Sequence, residues 1–279
     1  MLTDEEQNFI YSHAYVPEHL PDYVESISGA EPFLHEGHVC FVLQRHLIFL
    51  GYPLQKGEIE IKDVYESACD RFRAKTVSFI GSSIPSEIGT TEDCADDSYY
   101  KLDLPLKRLN QDVAYMIRRS GRELRISEGI FGDEHRALVD AFLSERNLGP
   151  GHHEIFNKLP LYLDYSKTVS LIEARKGNDL AAFDIIDFGS ANYMFYMFNF
   201  RSLKTNVPGA SDLLLYEMAR LAESKGKISI NLGLGISAGV RRFKEKWGAV
   251  PFLAYTSALV RRQTRGLFAR IFGFGDAHE

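Results

Sequence analysis

Between Ile230 and Gly248 the sequence reads INLGLGISAGVRRFKEKWG, an apolar run, a glycine-rich turn and a helix carrying Arg241, Lys244 and Lys246. Gly233, Gly235 and Ala238 satisfy the G-x-G-x-x-G/A spacing by which a strand-to-helix turn brings backbone N–H groups against a pyrophosphate. A dinucleotide site also needs an acidic residue at the end of the next strand to hold the ribose, and FLAYTSALV (252–260) contains none. Too little chain follows for further strand–helix units. The glycines are therefore read as permitting a tight turn with close packing. Lys244 is read either as a group placed for chemistry or as one solvated charge among several in RRFKEK.

Other candidates lie upstream. Asn206-Val207-Pro208-Gly209-Ala210-Ser211-Asp212 precedes a helix, where free N–H groups can hold an anion, or where Ser211 or Asp212 serves only as a cap. Arg118 and Arg119, with Arg122 one turn on, suit bidentate phosphate contacts or form the wet face of a helix, and Arg241 is grouped with them. Asp184, in LAAFDIIDF, alternates onto the same strand face as Ala182, Ile186 and Phe188. Desolvation on an apolar face raises a carboxyl pKa and suits it to be a general base; the alternative is a polar position at a strand edge. His152-His153 has no metal-ligand spacing beyond Glu154, and no metal is assigned. No Gly-x-Ser-x-Gly elbow, Walker loop or His-Glu-x-x-His helix occurs, so hydrolase, kinase and zincin readings lose their usual support.

The elements that must position these residues follow from periodicity and turn residues. HVCFVLQRHLIFLGYPL (38–54) reads as strand, 58–74 as a helix with Ile59, Val64, Ala68 and Phe72 on one stripe, then 75–81 and 99–104 as strands around a turn-rich segment. The later portion opens on a basic helix with Leu109, Val113, Met116 and Ile117 as its apolar stripe, followed by strand 124–127, helix 133–147 and a helix at about 153–165. Three strands (168–176, 180–188, 192–200) come next, joined by short turns. A helix ending near Gly226, strand 227–232, helix 237–246 and strand 252–260 complete it. The first portion reads as a shortened copy of the second, a mixed sheet with helices built twice.

Composition bounds the rest. The 279 residues, 45% of them hydrophobic, suffice for one large or two smaller domains. No run approaches a membrane span and the acidic start lacks a leader's apolar stretch, so a cytoplasmic protein is expected. Three widely spaced cysteines read as reduced filler. Residues 1–104 carry 7 Lys+Arg against 19 Asp+Glu, net −12, and residues 105–279 carry 25 against 19, net +6. An anionic ligand suits the second part.

Pro208-Gly209-Ala210-Ser211, Leu213-Leu214, Ala222 and Gly226, followed by a strand and then by Gly239-Val240, Phe243-Lys244 and Trp247-Gly248, resemble the C-terminal part of FemAB-type transferases and related GNAT-fold acyltransferases. LNQDVAYMIRRSGRELRISEG is similar to the basic helix and strand that open their catalytic half. A further similarity is to the soluble catalytic domain of lysyl-phosphatidylglycerol synthases. The resemblance implies an α/β (α+β) mixed sheet in a tandem GNAT-like fold: a degenerate half at 1–104, a catalytic half at 105–260 and a basic amphipathic tail at 261–279. It implies transfer of an acyl or aminoacyl group from acyl-CoA or aminoacyl-tRNA to an amine or hydroxyl, through a tetrahedral intermediate. Lys244, paired with Phe243, would then stabilise negative charge beside the reacting ester, while Phe243 also fits a core stripe with Val240 and Trp247. Asn206 to Ser211 would grip the donor. Only Gly209 of the usual loop glycines is present there, a departure that favours a donor other than CoA. The tail, through 261–272, is expected to touch tRNA or an anionic membrane surface, or to pack on the domain. The rival reading is a non-catalytic GNAT-fold protein that binds RNA or a lipid headgroup through its basic face.

Overall fold

The computed structural model describes residues 2–55, 57, 60–86, 88–146 and 150–262. Two helices, α1 (Asp4–His13) and α2 (Pro21–Ser28), are joined by a 3-10 turn (Pro17–His19) and precede β1 (Glu31–His35), β2 (His38–Leu43) and β3 (His46–Gly51). Then come α3 (Ile61–Arg71), β4 (Thr76–Gly81), β5 (Thr90–Asp103), α4 (Gln111–Ser120), β6 (Arg125–Gly129), α5 (Asp133–Glu145), α6 (Pro150–Asn157) and α7 (Leu159–Tyr165). The chain continues through β7 (Val169–Lys176), β8 (Asp179–Asp187), β9 (Tyr193–Arg201), α8 (Ala210–Ser224), β10 (Ser229–Leu234), α9 (Ala238–Lys246) and β11 (Val250–Arg261).

All described strands join one 11-stranded sheet in the order β1-β2-β3-β4-β11-β5-β10-β9-β8-β7-β6. The same unit occurs twice. An antiparallel meander (β1-β2-β3, then β7-β8-β9) is followed by a helix (α3, then α8) that returns the chain to a parallel neighbour (β4, then β10). The repeats are interlocked at the centre. β11, from the end of the described chain, lies between β4 and β5, while β5, from the first portion, lies between β11 and β10.

Helices cover both faces. α4, α8 and α9 pack Val113, Leu214, Met218 and Trp247 on Ile186, Met194 and Ile230 of the second portion's strands. α5 and α7 cover the opposite face through Leu138, Leu159 and Tyr162 on Phe183 and Phe200. In the first portion α3 buries Val64 and Tyr65 on Phe49, Phe79 and Val260, and Ile10 and Val24 of α1 and α2 meet Phe41, Leu50 and Ile80 on the other side.

Two differences from the sequence reading matter. The strand expected at 99–104 is the end of a 14-residue β5, because pairing with β11 carries the exposed acidic run TTEDCADDS into extended structure. The tail expected to begin at 261 starts later: Arg261 ends β11 and pairs with Glu92, and Arg262 pairs with Glu66 and Asp70. The rest of the tail, with the membrane or tRNA contact expected of it, lies outside the described residues.

Candidate active site

The parallel pairing of β9 and β10 covers only Ser229↔Tyr193, Ile230↔Met194 and Asn231↔Phe195. Beyond it β9 continues against β8 alone and β10 turns to β5 through Leu234↔Tyr99, so the two strands part in a V. Backbone groups along such a split lose their ladder partners, and buried ones must find others. Gly233 N–H donates to Asn231 Oδ1 at 2.8 Å, and the Leu234 carbonyl accepts from Lys244 Nζ at 2.6 Å.

Lys244 reaches that carbonyl from α9, whose first turn is capped by Ser237 Oγ accepting from Val240 N–H at 3.3 Å. The turn before it is held by Asp97, which accepts from Ser98 N–H and from Ile236 N–H, each at 2.7 Å. A Cβ at Gly235 would stand 2.7 Å from Asp97 Oδ1, so any larger residue there must displace the carboxylate that holds the turn. Lys244 is only 3% exposed, and its ammonium lies 5.6 Å from the Tyr100 ring centroid. Burial pulls its pKa down to about 7, against a smaller opposing pull from Asp97. The alternative of a solvated lysine is thus set aside by geometry. Phe243, its neighbour, is half-buried against the apolar layer, with Lys246 Nζ 4.8 Å from its ring centroid.

Asp184 is fully buried on β8, opposite Asn199 of β9. Asn199 Nδ2 donates to Asp184 Oδ1 at 2.5 Å and Ser211 Oγ donates to Asn199 Oδ1 at 3.3 Å, which ties the carboxyl to the start of α8. Asp184 Oδ2 has no hydrogen-bond partner; the Tyr196 hydroxyl stands close by but outside hydrogen-bond geometry for it. Burial raises the Asp184 pKa to about 8, the direction that strand alternation implied. Tyr196 also senses Asp212, which accepts from Trp247 Nε1 at 2.9 Å and pairs with Lys246 at 2.7 Å, fastening the end of α9 to the start of α8.

The expected donor turn is mostly enclosed. Asn206 is exposed and Pro208 half-buried, whereas Val207, Gly209, Ala210 and Ser211 are buried. Gly209 has φ 90°, and a Cβ there would stand 2.7 Å from the Met116 carbonyl oxygen of α4, so this glycine serves close helix packing. Arg118, Arg119, Arg122 and Arg241 are all exposed; the first three lie on or just past α4, and Arg241 packs its stem beside Gly235. The structure therefore joins Asp184 to Ser211, and the Lys244 helix to Asp212, but leaves the arginines outside both networks.

Sequence reasoning missed Asn199, Tyr196, Asp97 and Asn231. Asn199 had a usable signal, a lone polar side chain in YMFYMFNF; Asp97 had none, lying in a segment read as turn. The two best-formed cavities among the described residues are a cleft of about 490 Å³ between the start of α4 and the end of α9, lined by Arg108, Gln111, Lys246 and Trp247, and one of about 240 Å³ beside α2. Neither is lined by Lys244 or Asp184.

No protein-family model matches this chain, and comparison with curated proteins finds no match. Solved structures do match. L-PGS from Bacillus licheniformis superimposes with TM-score 0.56 at 17% identity, covering 93% of this chain and 96% of that one. FemX gives 0.57 at 10% identity, covering 92% and 96%. A tandem GNAT protein from the clavulanic acid biosynthesis pathway gives 0.52 at 10%, covering 93% and 96%. The chain thus has a FemAB/GNAT-like fold, a mixed α/β sheet of the tandem type, as its resemblance in sequence implied.

Proposed function

We propose that this protein transfers an acyl or aminoacyl group from an activated donor, acyl-CoA or aminoacyl-tRNA, to an amine or hydroxyl acceptor. The observation that carries the proposal is the buried Lys244 at the mouth of the β9/β10 split. An extended donor arm can take up the backbone positions that the parting strands leave unpaired. One Lys244 N–H is occupied by the Leu234 carbonyl, and an ammonium has two more to offer a forming oxyanion. Removing one such donor costs catalysis roughly 10²–10³-fold. Asp184, largely protonated at neutral pH, positions the start of α8 through Asn199 and Ser211 rather than attracting a cation. The enclosed turn at 207–211 favours a donor held by its acyl arm over one held by a pyrophosphate at α8.

The test is saturable binding and turnover of acetyl-CoA, a long-chain acyl-CoA and an aminoacyl-tRNA, each with and without a mixed pool of amines. Turnover of one donor class, lost in Lys244→Met with the fold retained, is the expected result; equal turnover in Lys244→Met removes Lys244 from the chemistry. One observation favours the rival, a non-catalytic protein binding RNA or a lipid headgroup: Arg118, Arg119 and Arg122 are exposed together, away from both polar networks. Binding of RNA or anionic vesicles that depends on those arginines, with no donor turned over, selects it.

A further inference from the structure

A second polar centre lies in the first portion, on the face of the sheet opposite α3. Glu18, half-buried on the 3-10 turn, lines the cavity of about 240 Å³ whose walls are α2, through Tyr23, Val24 and Ile27, and the strand residues Ile48, Leu50 and Ile80. Ser28 and Ser78 complete the lining, most of whose surface is apolar. The Tyr99 hydroxyl donates to Glu18 Oε2 at 2.7 Å, and Tyr23, Tyr52 and Tyr255 stand close enough to feel its charge. Among the described residues no lysine or arginine pairs with it. Burial raises the Glu18 pKa above the ordinary carboxylate range, only partly offset by the Tyr99 hydrogen bond.

A carboxylate in a mostly apolar cavity, held by the Tyr99 hydroxyl and its own backbone N–H but by no counter-ion, is costly unless something supplies the missing charge. The Tyr23 ring on the cavity wall is a further group that can attract a cation. The volume suits a body of a few carbons, and its apolar walls reward burial of hydrocarbon rather than of water. The geometry points to a binding site for a primary alkylammonium group, its nitrogen on Glu18 and its hydrocarbon body against Ile48, Leu50, Ile80 and Tyr23. This inference does not rest on acyl transfer. It does place the site one strand pair from the candidate active site, because Tyr255, beside Glu18, is the cross-strand partner of Asp97, which holds the turn before α9.

The full chain is titrated calorimetrically with n-hexylammonium, n-hexanol and n-hexanoate, at ligand concentrations into the millimolar range. Hexylammonium is expected to bind saturably and at least tenfold more tightly than hexanol, with hexanoate weaker still; Glu18→Gln is expected to bring hexylammonium down to the level of hexanol. Ile48→Phe, which keeps Glu18 and fills the cavity, is expected to abolish binding and decides the matter should Glu18→Gln not fold. Equal affinity for ammonium and alcohol, no binding of hexylammonium, or full affinity in either variant would overturn the assignment.

Discussion

At the scale of single residues, two buried titratable groups have shifts of opposite chemical kind, and each makes a prediction. Lys244 has its folded pKa lowered to about 7. As an oxyanion donor it must be charged, so donor turnover should fall as pH rises through about 7. Lys244→Arg, which keeps its charge far above that range, should move this alkaline limb upward. A pH–rate profile unchanged in Lys244→Arg would assign the limb to another group. Asp184 has its folded pKa raised to about 8, so the stability it allows is complete below the unfolded value near 4 and is lost progressively as pH climbs to 8. Asp184→Asn removes that loss. The variant should melt higher than the parent at pH 9, with the difference shrinking towards pH 5 at up to about 1.4 kcal/mol per pH unit. A variant destabilised equally at both pH values would show that the ionised carboxylate is well solvated in the folded state.

At the scale of elements, the site depends on how α8 and α9 are fastened. Asp212 holds both Lys246 and the indole of Trp247, the protein's single tryptophan. Asp212→Ala leaves a buried N–H without a partner, at a cost of about 1–3 kcal/mol, and should shift the emission of Trp247 to the red. Unchanged emission and stability would mean that apolar packing alone seats α9. Gly209→Ala should be costly in a different way. The added Cβ meets the Met116 carbonyl at 2.7 Å in a backbone conformation with φ 90°. A destabilisation of about 1–3 kcal/mol is expected in denaturant melts. The same change tests whether α4 must sit close on α8, since the relief of that clash requires the two helices to separate.

At the scale of the whole molecule, the two repeats share their central strands. A fragment ending at residue 104 keeps β5 but lacks β11, which separates β5 from β4; the complementary fragment keeps β11 but lacks β5, which separates it from β10. Each fragment alone would leave a gap in its sheet and expose unpaired strand edges. Expressed separately, neither 1–104 nor 105–279 should give cooperative unfolding by circular dichroism, whereas co-expression should recover a complex. A fragment that folds alone as a stable monomer would show that the exchange of strands is dispensable.

The repeated strand–helix order and the helix after the glycine turn were legible in the residues, because amphipathic periodicity and turn-forming glycines are local properties of the chain, whereas Asp184 read equally as a desolvated carboxyl or a strand-edge position until helices covered both faces of β8. Locally, Lys244 is one charge in RRFKEK; it falls on the stripe of Val240, Phe243 and Trp247, as Lys246 does not, but nothing along α9 says what that face meets. Its burial follows from α9 lying against β10 and β5, where the Leu234 carbonyl accepts from it and the Tyr100 ring lies beside it. Likewise β5 looks like a polar turn until β11, distant in sequence, supplies its ladder partner. Asn199 faces Asp184, and Asp97 reaches the turn at Ile236, through contacts between segments far apart along the chain. Side-chain periodicity specifies which face of an element is apolar. Which elements meet, and hence which polar groups are left to pair with one another, depends on packing that no single segment encodes.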